Sequence, residues 1–214
     1  MRLFDLYHPL SNQSGDIGSI SYLLQTEFPL LLANTAFDYE AEALPQLKAL
    51  FGSAEVPLSF TLKGDSPAIP ELSAMGYGLS ASFHLCPTQP SVRAQWAEHV
   101  PWSEAWTIAN ILTEAHGVPQ WRFPLSQTLG KALRTGGCDA FVSYMYGEAV
   151  GAIVTHQGVG ILAGVLPKRA NQGVGASLLA RIHPAAFIRM EGQEAEFAGE
   201  VQHRFIRLVL ESTL

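Results

Sequence analysis

PKRANQGVGASLLARI, residues 167–182, places two basic side chains, a polar turn and two glycines directly before an apolar-periodic run. Val174, Leu178, Leu179 and Ile182 recur at helical spacing, so the run predicts a helix that opens at the glycines. The first N–H groups of a helix have no partner inside it, and the helix dipole is positive there. Glycine at 173 and 175 removes the Cβ atoms that would hold a bulky anion away from those groups. No acidic residue occurs from Pro167 to Pro184, whereas Lys168, Arg169 and Arg181 are basic. A phosphate or pyrophosphate is the natural occupant. The competing reading is a glycine turn required only for tight strand–helix packing.

Two other phosphate motifs do not fit. A Walker loop needs Gly-Lys followed by Ser or Thr, and Gly175 is followed by Ala176. A dinucleotide fingerprint needs a third glycine after the first strand of a parallel sheet. Here CDAFVSYMYGEAVGAIVTHQGVGILAGVLP precedes the turn, three apolar runs separated by the turn signals GE and QG. It predicts an antiparallel meander over 139–146, 149–156 and 159–166.

Working outward, SEAWTIANILTEAHG and PLSQTLGKALRTGG read as two helices before the meander, the first stopping at Gly117. After the glycine turn, HPAAFIRME predicts a strand, GQEAEFAGEVQ a short helix and HRFIRLVLES a final strand. Residues 87–102 carry three prolines and little periodicity. The domains are therefore an N-terminal α/β half over 1–87, a linker over 88–102 and a C-terminal domain over 103–214. In the first half, SISYLLQTEF, PLLLANT, PLSFTLKG and YGLSASFHLCP read as strands. DYEAEALPQLKALFG reads as a helix with Pro45 in its first turns, and SPAIPELSAMG as a short helix ending on Gly76.

Composition bounds the class. Of 214 residues, 48% are hydrophobic and 15% charged, which suits a globular chain rather than a disordered one. The net charge of −6 argues against a general nucleic-acid or anionic-membrane binder. Cys86 and Cys138 stand far apart in no metal-like spacing, so neither a metal site nor a disulfide framework is expected. No apolar run is long enough for a signal peptide or a membrane span, and a cytoplasmic protein is expected.

VLPKRANQGVGASLL, on the third meander strand after two helices, resembles the coenzyme A loop of the GCN5-related N-acetyltransferases. Val165, Pro167, Gly173, Gly175, Leu178 and Leu179 match that loop, while Ala170 departs from the usual Arg or Gln. The resemblance implies an α/β fold with a mixed, mostly antiparallel sheet flanked by helices. It implies acetyl-CoA as cosubstrate, its pyrophosphate on the N–H groups of Gln172, Gly173, Val174, Gly175 and Ala176. The pantetheine arm would pair along the strand ending at Val165 and Leu166, with the thioester in the gap between that strand and 186–190. It also implies an N-acyltransferase acting on a small-molecule amine by direct transfer in a ternary complex. AIPELSAMGY resembles the last helix of this fold, so the first half reads either as a degenerate copy or as an unrelated α/β cap. Its turn ANTAFDYEAEAL has no glycine and carries Asp38, Glu40 and Glu42, so one coenzyme site is expected, in the C-terminal half.

The usual catalytic pair of the family is missing. The strand GVGILAGVLP carries no titratable side chain, and QEAEFAGEV offers Phe197 where a Tyr is common. His156 is a candidate base, directly or through a water, or else a turn-proximal surface residue. Tyr144, a second catalytic candidate, and Tyr146 are expected on one strand face, toward either the acceptor or the core. Glu196 and Glu200, one turn apart, read as a solvated face. Trp96, Trp102, Trp106 and Trp121 line either an acceptor pocket or a packing seam. His116 and Arg122 are candidates for recognising a carboxylate or phosphate on the acceptor, or else surface residues. Two alternatives stand beside the enzyme: a coenzyme-binding sensor without transfer chemistry, and an apolar interaction module whose turn only packs.

Overall fold

The computed structural model describes residues 2–87, 97–181, 186–191 and 200–210. Among them, 2–85, 189–191 and 202–210 form one compact unit, and 86–87, 97–181, 186–188 and 200–201 a second.

The first unit is a mixed sheet with helices. Its strands are β1 Gln13–Ile17, β2 Ile20–Leu24, β3 Thr35–Phe37, β4 Ser59–Lys63, β5 Tyr77–Pro87 and β11 His203–Leu210, in the order β1-β2-β3-β4-β11-β5. Only β3 and β4 run parallel. Helices α2 Leu44–Ser53 and α3 Ile69–Ala74 supply Leu47, Phe51 and Leu72 to a core with Phe60, Leu62, Tyr77, Ile206 and Leu208. Pro45 sits in the first turn of α2, where its missing N–H costs nothing. Gly76, at φ +85, ends α3.

Three features of this unit differ from the sequence reading. PLLLANT is not a strand: Leu31–Ala33 curl into a 3-10 turn, and β3 starts only at Thr35. The cause is Asn34, whose Oδ1 accepts the Gln25 N–H at 2.7 Å while its Nδ2 donates to the Gln25 carbonyl at 2.9 Å. That side chain satisfies the end of β2 as a neighbouring strand would. Secondly, the short helix α1 Leu3–Tyr7 and strand β1 precede the first expected element. Thirdly, β11 falls outside the unit that holds the glycine turn. A boundary at 103 would place it there, but it pairs with β4 and β5, because its apolar side chains complete their core.

The second unit begins with β6 Ala97–His99, inside the expected linker, antiparallel to β7 Asp139–Met145. The rest of that linker before residue 97 lies outside the described residues. β8 Glu148–His156 and β9 Val159–Val165 complete the meander, and β10 Ala186–Met190 runs parallel to β9 through its first residues. The order is β10-β9-β8-β7-β6. Both meander turns are two-residue and left-handed: Tyr146 and Gly147 at φ 54 and 79, Gln157 and Gly158 at φ 49 and 77. Such turns match the twist of antiparallel strands.

Helices α4 Ala105–Ala115, α5 Arg122–Arg134 and α6 Val174–Arg181 flank this sheet. A Cβ on Gly164 would lie 2.8 Å from the Ala115 Cβ of α4, whereas a Cβ on Gly151 would lie 2.5 Å from Val174 Cγ1 of α6. Gly164 and Gly151 therefore let opposite faces of the sheet take a helix each at close range. The expected helix over 192–202 lies outside the described residues up to 199, with Glu196 and Phe197.

Candidate functional site

The loop after β9 is built from short local bonds. The Leu166 N–H still reaches the Val150 carbonyl of β8 at 2.9 Å, and Pro167–Arg169 form a 3-10 turn. Asn171 at φ 60 and Gly173 at φ 80 then reverse the chain into α6. The first helical bond runs from the Ser177 N–H to the Gly173 carbonyl at 3.1 Å. Hence the N–H groups of Val174, Gly175 and Ala176 lie ahead of any acceptor that α6 itself provides. Val174, Ala176 and Leu178 are buried, anchoring this terminus on the meander.

The two loop glycines differ from the packing glycines of the sheet. A Cβ at Gly173 would meet nothing within 4 Å, and one at Gly175 would meet only Val165 Cγ2 at 3.9 Å. Gly173 needs glycine for its positive φ. Gly175 has neither a left-handed backbone nor a crowded Cβ, yet glycine in a helix costs up to about 1 kcal/mol relative to alanine. Packing among the described residues therefore gives no reason for Gly175. Open space above both glycines suits a large ligand.

Around this terminus, Lys168 Nζ and Arg169 Nη2 each approach Glu148 Oε2 at 3.3 Å. The hydrogen bond from Lys168, followed by that from Arg169, holds the Glu148 carboxyl below the usual glutamate range. The Arg169 guanidinium also lies 5.8 Å from the Tyr146 ring centroid. The Gln172 side chain donates to the Lys168 carbonyl at 3.4 Å.

The edge of β9 facing away from β8 completes the site. Because Leu166 bonds to Val150, the hydrogen-bonded pairs further in are Ala152–Gly164 and Val154–Leu162. Ala163 and Val165 thus turn their own N–H and C=O groups to the opposite edge. On that edge β9 meets β10 in parallel at Gly160–Phe187. The Ala163 carbonyl accepts a hydrogen bond from His116 Nε2 at 3.0 Å, from the C-terminal end of α4.

The candidate catalytic residues are not brought together. His156 pairs with Val159 at the other end of β8 from Gly151 and Val165, and its Nδ1 donates to the Gly137 carbonyl. Tyr144 lies on β7 beside a bulge, opposite Ala149. Burial, then the charges of Glu104 and Glu98, raise its pKa, so it remains a phenol at neutral pH. Tyr146 does not share its strand face, since it sits in the left-handed turn and is 91% exposed. Arg122 is engaged by Glu114 and lies 6.0 Å from the Trp106 ring. Trp102 and Trp106 are exposed and Trp121 half-buried; Trp96 lies outside the described residues. Among the described residues no three His, Cys, Asp or Glu side chains gather as a metal site, and no helix is long and apolar enough to cross a membrane.

No family model matches the chain, and no curated protein sequence matches it. Solved structures do. A GCN5-related N-acetyltransferase from Kribbella flavida is 18% identical, with a TM-score of 0.66 over 95% of this chain and 92% of its own. A functionally unknown conserved protein from Staphylococcus epidermidis is 12% identical, with a TM-score of 0.64 over 96% and 97%. A GCN5-related N-acetyltransferase from Sphaerobacter thermophilus is 15% identical, with a TM-score of 0.53 over 82% and 71%. The fold is that of the GCN5-related N-acetyltransferases.

Proposed function

From that fold we propose that the chain is an acyl-CoA-dependent N-acyltransferase, with acetyl-CoA as cosubstrate and a small-molecule amine as acceptor. The observation that carries this reading is the terminus of α6, where no packing among the described residues requires Gly175 to be glycine. The N–H groups of 172–176 would hold the pyrophosphate, since those of 174–176 have no acceptor within α6 and lie at the positive end of its dipole. The pantetheine amides would bond to the outward N–H and C=O groups of Ala163 and Val165 on β9. Transfer is direct within a ternary complex. Cys86 and Cys138 are both buried, and burial pushes the Cys138 thiol up to about 12, so neither serves as an acyl carrier. Two reduced, buried cysteines also suit a cytoplasmic setting.

A second reading, a coenzyme-binding sensor without transfer, is favoured by the lack of a titratable side chain on β9. The first experiment is a calorimetric titration with acetyl-CoA and free CoA, using the wild type and Gly173→Glu. Saturable binding that the variant loses supports both readings, and release of CoA on addition of an amine library selects the enzyme. Lack of wild-type binding at millimolar acetyl-CoA would sink both.

A further inference from the structure

The chain lacks a base where one is expected, but it holds an imidazole at the edge where the thioester would lie. His116 follows the last residue of α4, and its ring reaches the Ala163 carbonyl at 3.0 Å. A carbonyl only accepts, so Nε2 is the protonated nitrogen. In the neutral ring Nδ1 then keeps its lone pair. His116 is an exposed residue, so that lone pair is not walled in by core packing. Ala163 is two residues from Val165 and three from Gly160, the β9 residue that pairs with Phe187 of β10. A ligand lying along this edge from the α6 terminus passes the atom that His116 holds.

We propose that His116 is the proton-accepting catalytic residue, fixed through Nε2 on Ala163 with Nδ1 directed at the reacting amine. This rests on the acyl-CoA reading above. The ammonium form of the acceptor gives one proton to Nδ1. The freed amine nitrogen bonds to the thioester carbonyl carbon, and the C–S bond breaks with its electron pair going to sulfur. The remaining extra proton on nitrogen passes to the thiolate, leaving an amide, CoA thiol and an imidazolium that returns its proton to solvent. The backbone anchor fixes both tautomer and orientation, as a carboxylate does for other catalytic histidines. His156 lacks this placement, because its own anchor lies at the far end of β8.

The test needs no knowledge of the acceptor. Bromoacetyl-CoA places an alkylating carbon where the acetyl group would sit, and a neutral Nδ1 beside it displaces bromide to form an N–C bond. Peptide mapping of the labelled wild-type protein is expected to find the adduct on His116. Excess acetyl-CoA should suppress it at least tenfold, and Gly173→Glu should not form it. His116→Gln, whose carboxamide N–H can still reach Ala163, should keep acetyl-CoA affinity within about threefold and lose the adduct. An adduct on another residue, or none, in protein that binds acetyl-CoA calorimetrically overturns the role of His116 and leaves the acyl-CoA reading standing. Wild-type protein that binds neither thioester overturns both, with a different signature. More than tenfold loss of affinity in folded His116→Gln would make the residue a structural anchor only.

Discussion

Gly151 on β8 lies under Val174, the first residue of α6: a methyl group on its α-carbon would sit 2.5 Å from Val174 Cγ1 and 3.1 Å from Leu178 Cδ1. The glycine that seats the helix is thus on the sheet and not in the loop. Gly151→Ala must push α6 outward, an overpacking that costs about 1–3 kcal/mol. A lower melting temperature is expected together with weaker acetyl-CoA binding, since the N–H groups move with the helix. Gly164→Ala is the comparison, because its methyl would press on Ala115 of α4 instead. It should cost similar stability with a smaller effect on acetyl-CoA affinity. Equal affinity in Gly151→Ala and wild type would detach α6 from ligand binding.

Gly175→Ala should move stability and binding in opposite directions. The new Cβ has room and gains helix propensity, so unfolding free energy should rise by up to about 1 kcal/mol. The same Cβ stands in the space proposed for the pyrophosphate, and acetyl-CoA affinity should fall at least tenfold. Thermal unfolding and calorimetry on one preparation measure both. A stabilised variant with unchanged affinity would mean that no ligand approaches this position.

The glycine turn was legible because every part of it is local: the strand end, the two glycines and the apolar period all fall within residues 165–182. The meander was legible for the same reason, since its turns need only two residues each. What the sequence could not show is which distant segments meet. Nothing in HRFIRLVLES names β4 and β5 as its partners, and nothing in TEAHGVP says that His116 will reach Ala163. Those contacts are fixed by tertiary packing across 47 residues in the case of His116. Chemical type alone points to His156 and Tyr144, and it carries no information about which end of a strand faces the loop. The strand reading of PLLLANT missed a side chain standing in for a strand, a competition that apolar composition does not reveal.

Thiol chemistry gives a third prediction. Cys86 is fully buried, and Cys138 is buried beside Asp139, with its pKa raised first by desolvation and then by that charge. Cys86 is shut off from solvent, and Cys138 offers no thiolate at neutral pH. Native protein should therefore resist a thiol-specific disulfide reagent over minutes and react at two sites once unfolded. Acetyl transfer, once an acceptor is found, should survive the same treatment. Rapid native modification accompanied by loss of transfer would reopen a covalent route.

The clamp of Glu148 on Lys168 and Arg169 sets a pH expectation. The carboxyl is held below its ordinary value of 4.5, so whatever the clamp contributes is fully present above that value. It is lost only as pH falls through the depressed folded value. Glu148→Gln should consequently mimic acid at neutral pH. The two cations would be released toward a bound phosphate, raising acetyl-CoA affinity a few-fold at low salt and less at high salt. A drop in affinity in Glu148→Gln would show instead that the carboxylate orders the loop for binding.

Arg207 of β11 is the most unusual charge in the first unit. It is 7% exposed; its Nη1 meets Ser80 Oγ at 3.0 Å and its Nη2 the Asn34 carbonyl at 3.4 Å, with Nε left without a partner. Both partners are neutral, so no carboxylate among the described residues offsets the cost of burying the cation. Desolvation alone pulls its pKa down to about 10, which means that the folded state disfavours the charged form. The resulting cost applies at every pH at which the group is charged, and stability would recover only as pH climbs through that value. Arg207→Met keeps the length of the side chain and removes the charge. The melting temperature should stay level or rise, corresponding to about 0–3 kcal/mol, with the same difference at pH 6 and pH 9. A loss of several degrees would mean that the two hydrogen bonds outweigh the desolvation. Since Asn34 also holds the end of β2, the damage should then appear first as faster amide exchange at Gln25.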